Sequence, residues 1–156
     1  MNTNIKKQFK RLNTIYIIIL GSLSIAALLS VYMVFKMGIL PVFDAPTLNL
    51  LKTVVILALL IGIPVGHIFY FKKIKHINKT LDLSKKLNMF QFAFIVRIAL
   101  LEGIGLLIMM AYLVAADKSF LYMFAVVFIL FIIHAPTKNR IISDMELTDE
   151  ETELLN

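Results

Sequence analysis

Long apolar runs alternating with short polar stretches dominate the chain. A helix needs about 20 predominantly apolar residues to cross about 30 Å of hydrocarbon, and four runs approach or exceed that length. They lie at 14–35, 49–71, 90–115 and 119–134. The fourth is about 24 Å long by helical rise, so it stands nearly upright or draws on flanking residues. Unpaired backbone costs several kcal/mol per group in lipid, which excludes an open sheet. The pattern predicts an all-α polytopic integral membrane protein, four transmembrane helices in an up-down bundle, with a single membrane domain over 1–156. The first run exceeds the about 7–15 residues of a signal-peptide core and no A-x-A site follows it, so it reads as a span.

The polar stretches predict where helices stop. Pro41, Asp44 and Pro46 punctuate the outer loop, with Pro46 suited to a first helical turn. In the basic cytoplasmic loop 72–88, Ile74, Ile77 and Leu81 recur at helical spacing among lysines. Such a segment extends helix 2 along the headgroups, and Asn88 with Gln91 then reads as the N-cap of helix 3. The loop around Asp117 and Lys118 is minimal, which makes helices 3 and 4 an antiparallel hairpin closed by Pro136. The tail 136–156 is acidic, and Thr148 with Glu151 fits a capping box. It reads either as a solvated, frayed tail or as a segment that docks on the basic inner loop or on a cytoplasmic partner.

Charge sets the orientation. Twelve of the 16 Lys and Arg residues fall in the N-terminal segment, the middle loop and the tail, against Lys36, Lys52 and Lys118 on the other side. The positive-inside rule then puts both termini in the cytoplasm of a bacterium, the chain being multi-pass in its inner membrane. The net charge of +6 is thus explained by topology rather than by nucleic acid. Lys72, Lys73, Lys75, Lys79, Lys85 and Lys86 are expected to meet anionic headgroups of the bilayer, at about 1 kcal/mol each. All five tyrosines sit near span ends. A content of 60% hydrophobic residues and a mean hydropathy of +0.87 place the chain outside the soluble class.

Zero Cys removes thiolate metal sites, disulfides and cysteine nucleophiles. His67, His76 and His134 show no H-x-x-x-H spacing, so no metal and no cofactor is expected. No Gly-rich phosphate loop, G-x-S-x-G or H-E-x-x-H occurs, and no enzyme is expected. Small residues recur four apart at Ser22, Ala26 and Ser30, at Gly62 and Gly66, and at Ala99 and Gly103. That spacing predicts close helix packing, in a homo-oligomer or as a subunit of a membrane complex.

One carboxylate stands at membrane depth. Glu102 lies about 18 Å from the start of the third run, where an acid costs about 2.5–3.5 kcal/mol and is a candidate functional group. It either couples to an ion or bonds a helix 1 serine such as Ser22, Ser24 or Ser30 and fixes bundle register. Arg97 is about 140° away around the helix and points elsewhere, either snorkelling to phosphates or meeting Glu102 through water or another subunit. His67, one turn inside the membrane, is a proton-relay candidate.

The hairpin 57–114 distantly resembles the rotor proteolipid, the c subunit, of ATP synthases. The likeness rests on Gly62-Ile63-Pro64-Val65-Gly66, a polar cytoplasmic loop, and Arg97-Ile98-Ala99-Leu100-Leu101-Glu102-Gly103. It implies that Glu102 carries an ion, as the mid-membrane carboxylate does in that family. The chain departs from that pattern in its few glycines, its lysine-rich loop, two further helices and an acidic tail. The reading that results is a small inner-membrane, non-enzymatic interaction or accessory subunit. A proton- or cation-coupled transport component using Glu102, His67 and Arg97 is the alternative, and a lipid-acting enzyme comes third.

Overall fold

The computed structural model describes residues 2–38, 43–78 and 80–153. Pro41 and Lys79, to which the sequence assigned a turn and a headgroup contact, lie outside them. Six helices follow one another: α1 (Asn2–Met37), α2 (Ala45–Lys75), α3 (Leu83–Ala115), α4 (Ser119–Ile133), α5 (Lys138–Met145) and α6 (Asp149–Glu153). The chain is all-α, and α1, α2 and α3 are long and apolar enough to cross a membrane. α4 has only 15 residues, about 22 Å by helical rise, and the chain bends by 77° into α5. It reaches spanning length only when taken together with α5. The break falls at 134–137, where Pro136 supplies no N–H to continue the ladder. The Arg140 guanidinium donates to the Ile133 carbonyl at 2.6 Å, satisfying one of the acceptors that the end of α4 exposes.

At 36, 31 and 33 residues the long helices measure about 54, 46 and 50 Å, each longer than the about 30 Å of hydrocarbon in a bilayer. This corrects the extent of the loop expected at 72–88. α2 continues through Lys75, α3 begins at Leu83, and only 76–82 connect them. The N-cap of α3 is Asp82, whose carboxylate accepts from the Ser84 N–H, and Asn88 lies inside the helix. The reason is packing: Leu83, Leu87, Phe90 and Phe94 are all buried, at spacings of one turn, so the apolar face continues past the polar sequence that suggested a loop. Ile5 and Leu12 of α1 are buried too, and Gln8 donates to Ser84 at 3.0 Å. Pro46 does sit in the first turn of α2.

α3 is the axis of the molecule. It packs on α1, α2 and α4, whereas among the described residues α1 and α2 scarcely touch each other, nor do α2 and α4. Glycines set the two main seams. A Cβ at Gly62 would come within 2.6 Å of Ile104, and one at Gly105 within 2.8 Å of Leu23, so α3 approaches α2 and α1 closely because those positions are bare. Phe90, Phe94, Tyr16, Tyr70 and Phe131 form a chain of ring contacts through the core, and the Tyr16 hydroxyl donates to the Phe131 carbonyl at 3.1 Å. At the turn between α3 and α4, Asp117 pairs with Lys52 of α2 at 2.7 Å and accepts from the Ser119 N–H. Those bonds from Lys52 and Ser119 hold the Asp117 carboxyl down at about 2.

Candidate functional site

Two polar centres lie midway along the apolar length of α3, on different sides of it. At 100° per residue Arg97 and Glu102 point apart, and the structure assigns them to different neighbours.

Glu102 faces α1. Its Oε1 lies 3.0 Å from the Ser22 hydroxyl, which also lies 2.8 Å from the Ile19 carbonyl. Ser24 and Ser30 instead bond carbonyls of their own helix, at Leu20 and Ala26. One hydroxyl proton cannot serve two acceptors. A protonated Glu102 donates to Ser22 while Ser22 donates to Ile19, and all three groups are satisfied. An ionised Glu102 takes the Ser22 proton and leaves the Ile19 carbonyl to its intrahelical bond alone. The pair is not enclosed, for Ser22 is exposed and Glu102 half-exposed.

Beside them runs an uncovered strip of α3. Ala99, Gly103, Leu106 and Met110 fall within about 60° of one another around the helix, between the sectors that meet α1 and α2. All four are exposed, and a Cβ at Gly103 would meet nothing within 4 Å. The two small-residue spacings therefore separate. Gly62 and Gly66 pack against α3, whereas Ala99 is exposed and a Cβ at Gly103 would meet nothing within 4 Å among the described residues. On α1, Ser30 is buried and Ala26 half-buried, with Ser22 at the open edge.

Arg97 faces α2 and α4. It is buried at 5% exposure, which corrects the expectation that it snorkels to the headgroups. Its Nη2 donates to His67 Nδ1 at 3.0 Å, and its guanidinium carbon lies 4.6 Å from the centre of the Tyr70 ring. These partners hold it within the helices, on a cation–π contact and a hydrogen bond. The Tyr70 hydroxyl donates to Asp144 of α5 at 2.5 Å. His134 stands with its ring 6.5 Å from that of His67, and its Nδ1 lies 2.6 Å from the Leu130 carbonyl. Gly62, Gly66, His67, Arg97, Leu130 and His134 surround a cavity of about 180 Å³ between α2, α3 and α4. Of the three proposed coupling residues, His67 and Arg97 are thus brought together, and Glu102 is not among the residues lining their cavity.

Sequence reasoning missed Tyr70, His134 and Asp144 as members of this cluster. Tyr70 follows His67 by three residues and so shares its face of α2, a signal that its reading as an interfacial anchor obscured. Asp144 arrives only through the bend after α4, which no local pattern foretells.

The lysines divide as well. Lys72, Lys73, Lys75 and Lys85 are exposed at the adjoining ends of α2 and α3. Lys86 is buried and pairs with Glu151 at 2.7 Å, so it does not reach for lipid. The tail is helical and docked: Ile141 and Met145 are buried, and Thr148 and Glu151 form the reciprocal bonds of a capping box at 3.2 and 3.3 Å. Burial acts to raise the Glu151 carboxyl, but the bonds from Lys86 and Thr148 outweigh it and hold the group below its usual range. Among the described residues no group of three His, Asp or Glu is placed to hold a metal ion.

No protein-family model, curated protein or solved structure matches this chain. The likeness of the hairpin 57–114 to rotor proteolipids gains no support from those comparisons.

Proposed function

We propose that the protein is a non-enzymatic interaction subunit of a bacterial inner membrane, four-spanning with both termini inside, that assembles through the open strip of α3. One observation carries this reading. Ala99 and Gly103 lie exposed beside the Glu102–Ser22 pair, and none of the described residues comes within 4 Å of a Cβ at Gly103. Lipid tails offer a carboxyl no hydrogen bond, whereas a second helix packs closely on small residues and supplies one. A second copy of the chain suits the strip, because a two-fold axis sets Ala99 and Gly103 of one copy against the same residues of the other. The distribution of twelve basic residues to one side supports the orientation.

The absence of native Cys makes the test direct. Gly103→Cys in native membranes is expected to form a disulfide-linked dimer on mild oxidation, while Ile129→Cys on the exposed face of α4 stays monomeric. Equal cross-linking at both positions, or none at Gly103 and Ala99, overturns the assignment.

The second reading is proton- or cation-coupled transport, favoured by a carboxyl midway along α3 whose contact with Ser22 is not enclosed. It requires that Glu102→Gln abolish activity in a protein that still folds.

A further inference from the structure

Arg97 is an incompletely neutralised cation. It is 95% buried, and among the described residues it forms no ion pair; its one hydrogen bond there goes to a histidine. Taking a guanidinium out of water costs several kcal/mol, which a neutral imidazole and a ring face offset only in part. Asp144, whose charge reaches Arg97, is already engaged by the Tyr70 hydroxyl. Arg97 nevertheless lines a cavity of about 180 Å³, the volume of about six waters. We propose that this cavity between α2, α3 and α4 binds a phosphate group, such as a lipid headgroup or free phosphate carries.

The donor set fits that chemistry. Because His67 Nδ1 accepts from Arg97, the His67 proton resides on Nε2, which donates. Because His134 Nδ1 donates to the Leu130 carbonyl, the neutral ring keeps Nε2 as an acceptor. A phosphate monoanion carries both anionic oxygens and a P–OH. The guanidinium fork and His67 Nε2–H suit the oxygens, and His134 Nε2 suits the hydroxyl. The other charged or titratable groups around the site are Tyr70 on α2 and Arg140 and Asp144 on α5.

Two sources of the phosphate fit the surroundings. The cavity's apolar lining, Gly62, Ile63, Leu101 and Leu130, suits the acyl chains of a lipid ligand. His67 also lines a wider groove with Lys72, Lys75, His76, Asp144 and Glu146, which suits a water-borne anion. This inference rests on a different face of α3 from the proposed assembly strip, and either stands without the other.

The test is titration calorimetry of the purified full chain in uncharged detergent, with three probes: a short-chain phosphatidic acid, inorganic phosphate and the matching diacylglycerol. Saturable binding is expected for at least one phosphate probe and not for diacylglycerol. Phosphatidic acid alone identifies a lipid ligand; inorganic phosphate binding equally well identifies a free anion. Arg97→Lys keeps the charge but loses the fork and is expected to weaken binding by about tenfold or more. Leu130→Phe fills the cavity with every charge in place, so it is expected to abolish binding even if Arg97 variants fail to fold. Lys36→Gln, at the exposed end of α1 away from the cavity, is expected to bind as the parent does. The proposal is overturned if neither phosphate probe binds, if diacylglycerol binds as well as phosphatidic acid, if folded Leu130→Phe binds undiminished, or if Lys36→Gln alone removes binding.

Discussion

Lys86 and Glu151 meet at 2.7 Å across 65 residues of chain, with the ammonium buried and the carboxylate nearly so. The contact ties the acidic tail to the start of α3 and turns two sequence features of opposite charge into one docked unit. Removing the two partners is not equivalent. Glu151→Ala strands a buried cation and is expected to cost up to about 3 kcal/mol, whereas Lys86→Met keeps the volume, removes the charge and is expected to cost far less. Denaturant midpoints of the two variants in detergent, compared with the parent, measure the difference; equal midpoints would show that the pair is not energetically buried.

The same carboxylate gives the tail a pH dependence. Glu151 is held below its usual range in the folded chain, so its stabilisation is complete above the ordinary carboxylate value of 4.5 and is lost as pH falls through the lower, folded one. Asp117 follows the same sign further down: lowered from 3.8 to about 2 by Lys52 and Ser119, it keeps α2 tied to the α3–α4 turn until pH drops through that window. Hydrogen exchange is expected to rise first in 146–153 on acidification, and only at lower pH around 117–119. Simultaneous loss at both ends argues for one cooperative transition instead.

How far these relationships were legible in the sequence differs by element. The long apolar helices were, because 20 consecutive apolar residues leave a chain in lipid one option. The capping box at Thr148 and Glu151 was too, being a local pattern with a local cause. The start of α3 was not: Asp82 and Asn88 are equally good caps, and only the burial of Leu83 and Leu87 against other helices decides between them. The facing of Arg97 was half legible. Its 140° separation from Glu102 was arithmetic, while its burial against His67 and Tyr70 depends on how α2 lies on α3, which glycine spacing suggests without fixing.

For Glu102 the geometry predicts a coupled pair. The Ser22 hydroxyl donates to Glu102 Oε1 at 3.0 Å, so the Glu102 carboxyl stretch, identified in the infrared by its loss in Glu102→Gln, is expected to shift in Ser22→Ala. Insensitivity of the band to Ser22→Ala breaks the pair.

Two glycines two residues apart on α3 separate packing within the chain from packing between chains. A side chain at Gly105 runs into Leu23 of α1 at 2.8 Å, so Gly105→Val is expected to force the helices apart and to destabilise the isolated chain by about 1–3 kcal/mol. A side chain at Gly103 meets nothing within 4 Å, and Gly103→Leu is expected to leave the monomer's stability within about 0.5 kcal/mol of the parent. If the strip at Ala99 and Gly103 seats a second copy, that same Gly103→Leu change should abolish the dimer, because helices held about a side chain further apart lose the close contact that small residues permit. Unfolding midpoints and dimer fractions in one detergent series read both effects. A Gly103→Leu protein that is as stable and as dimeric as the parent assigns the strip to lipid.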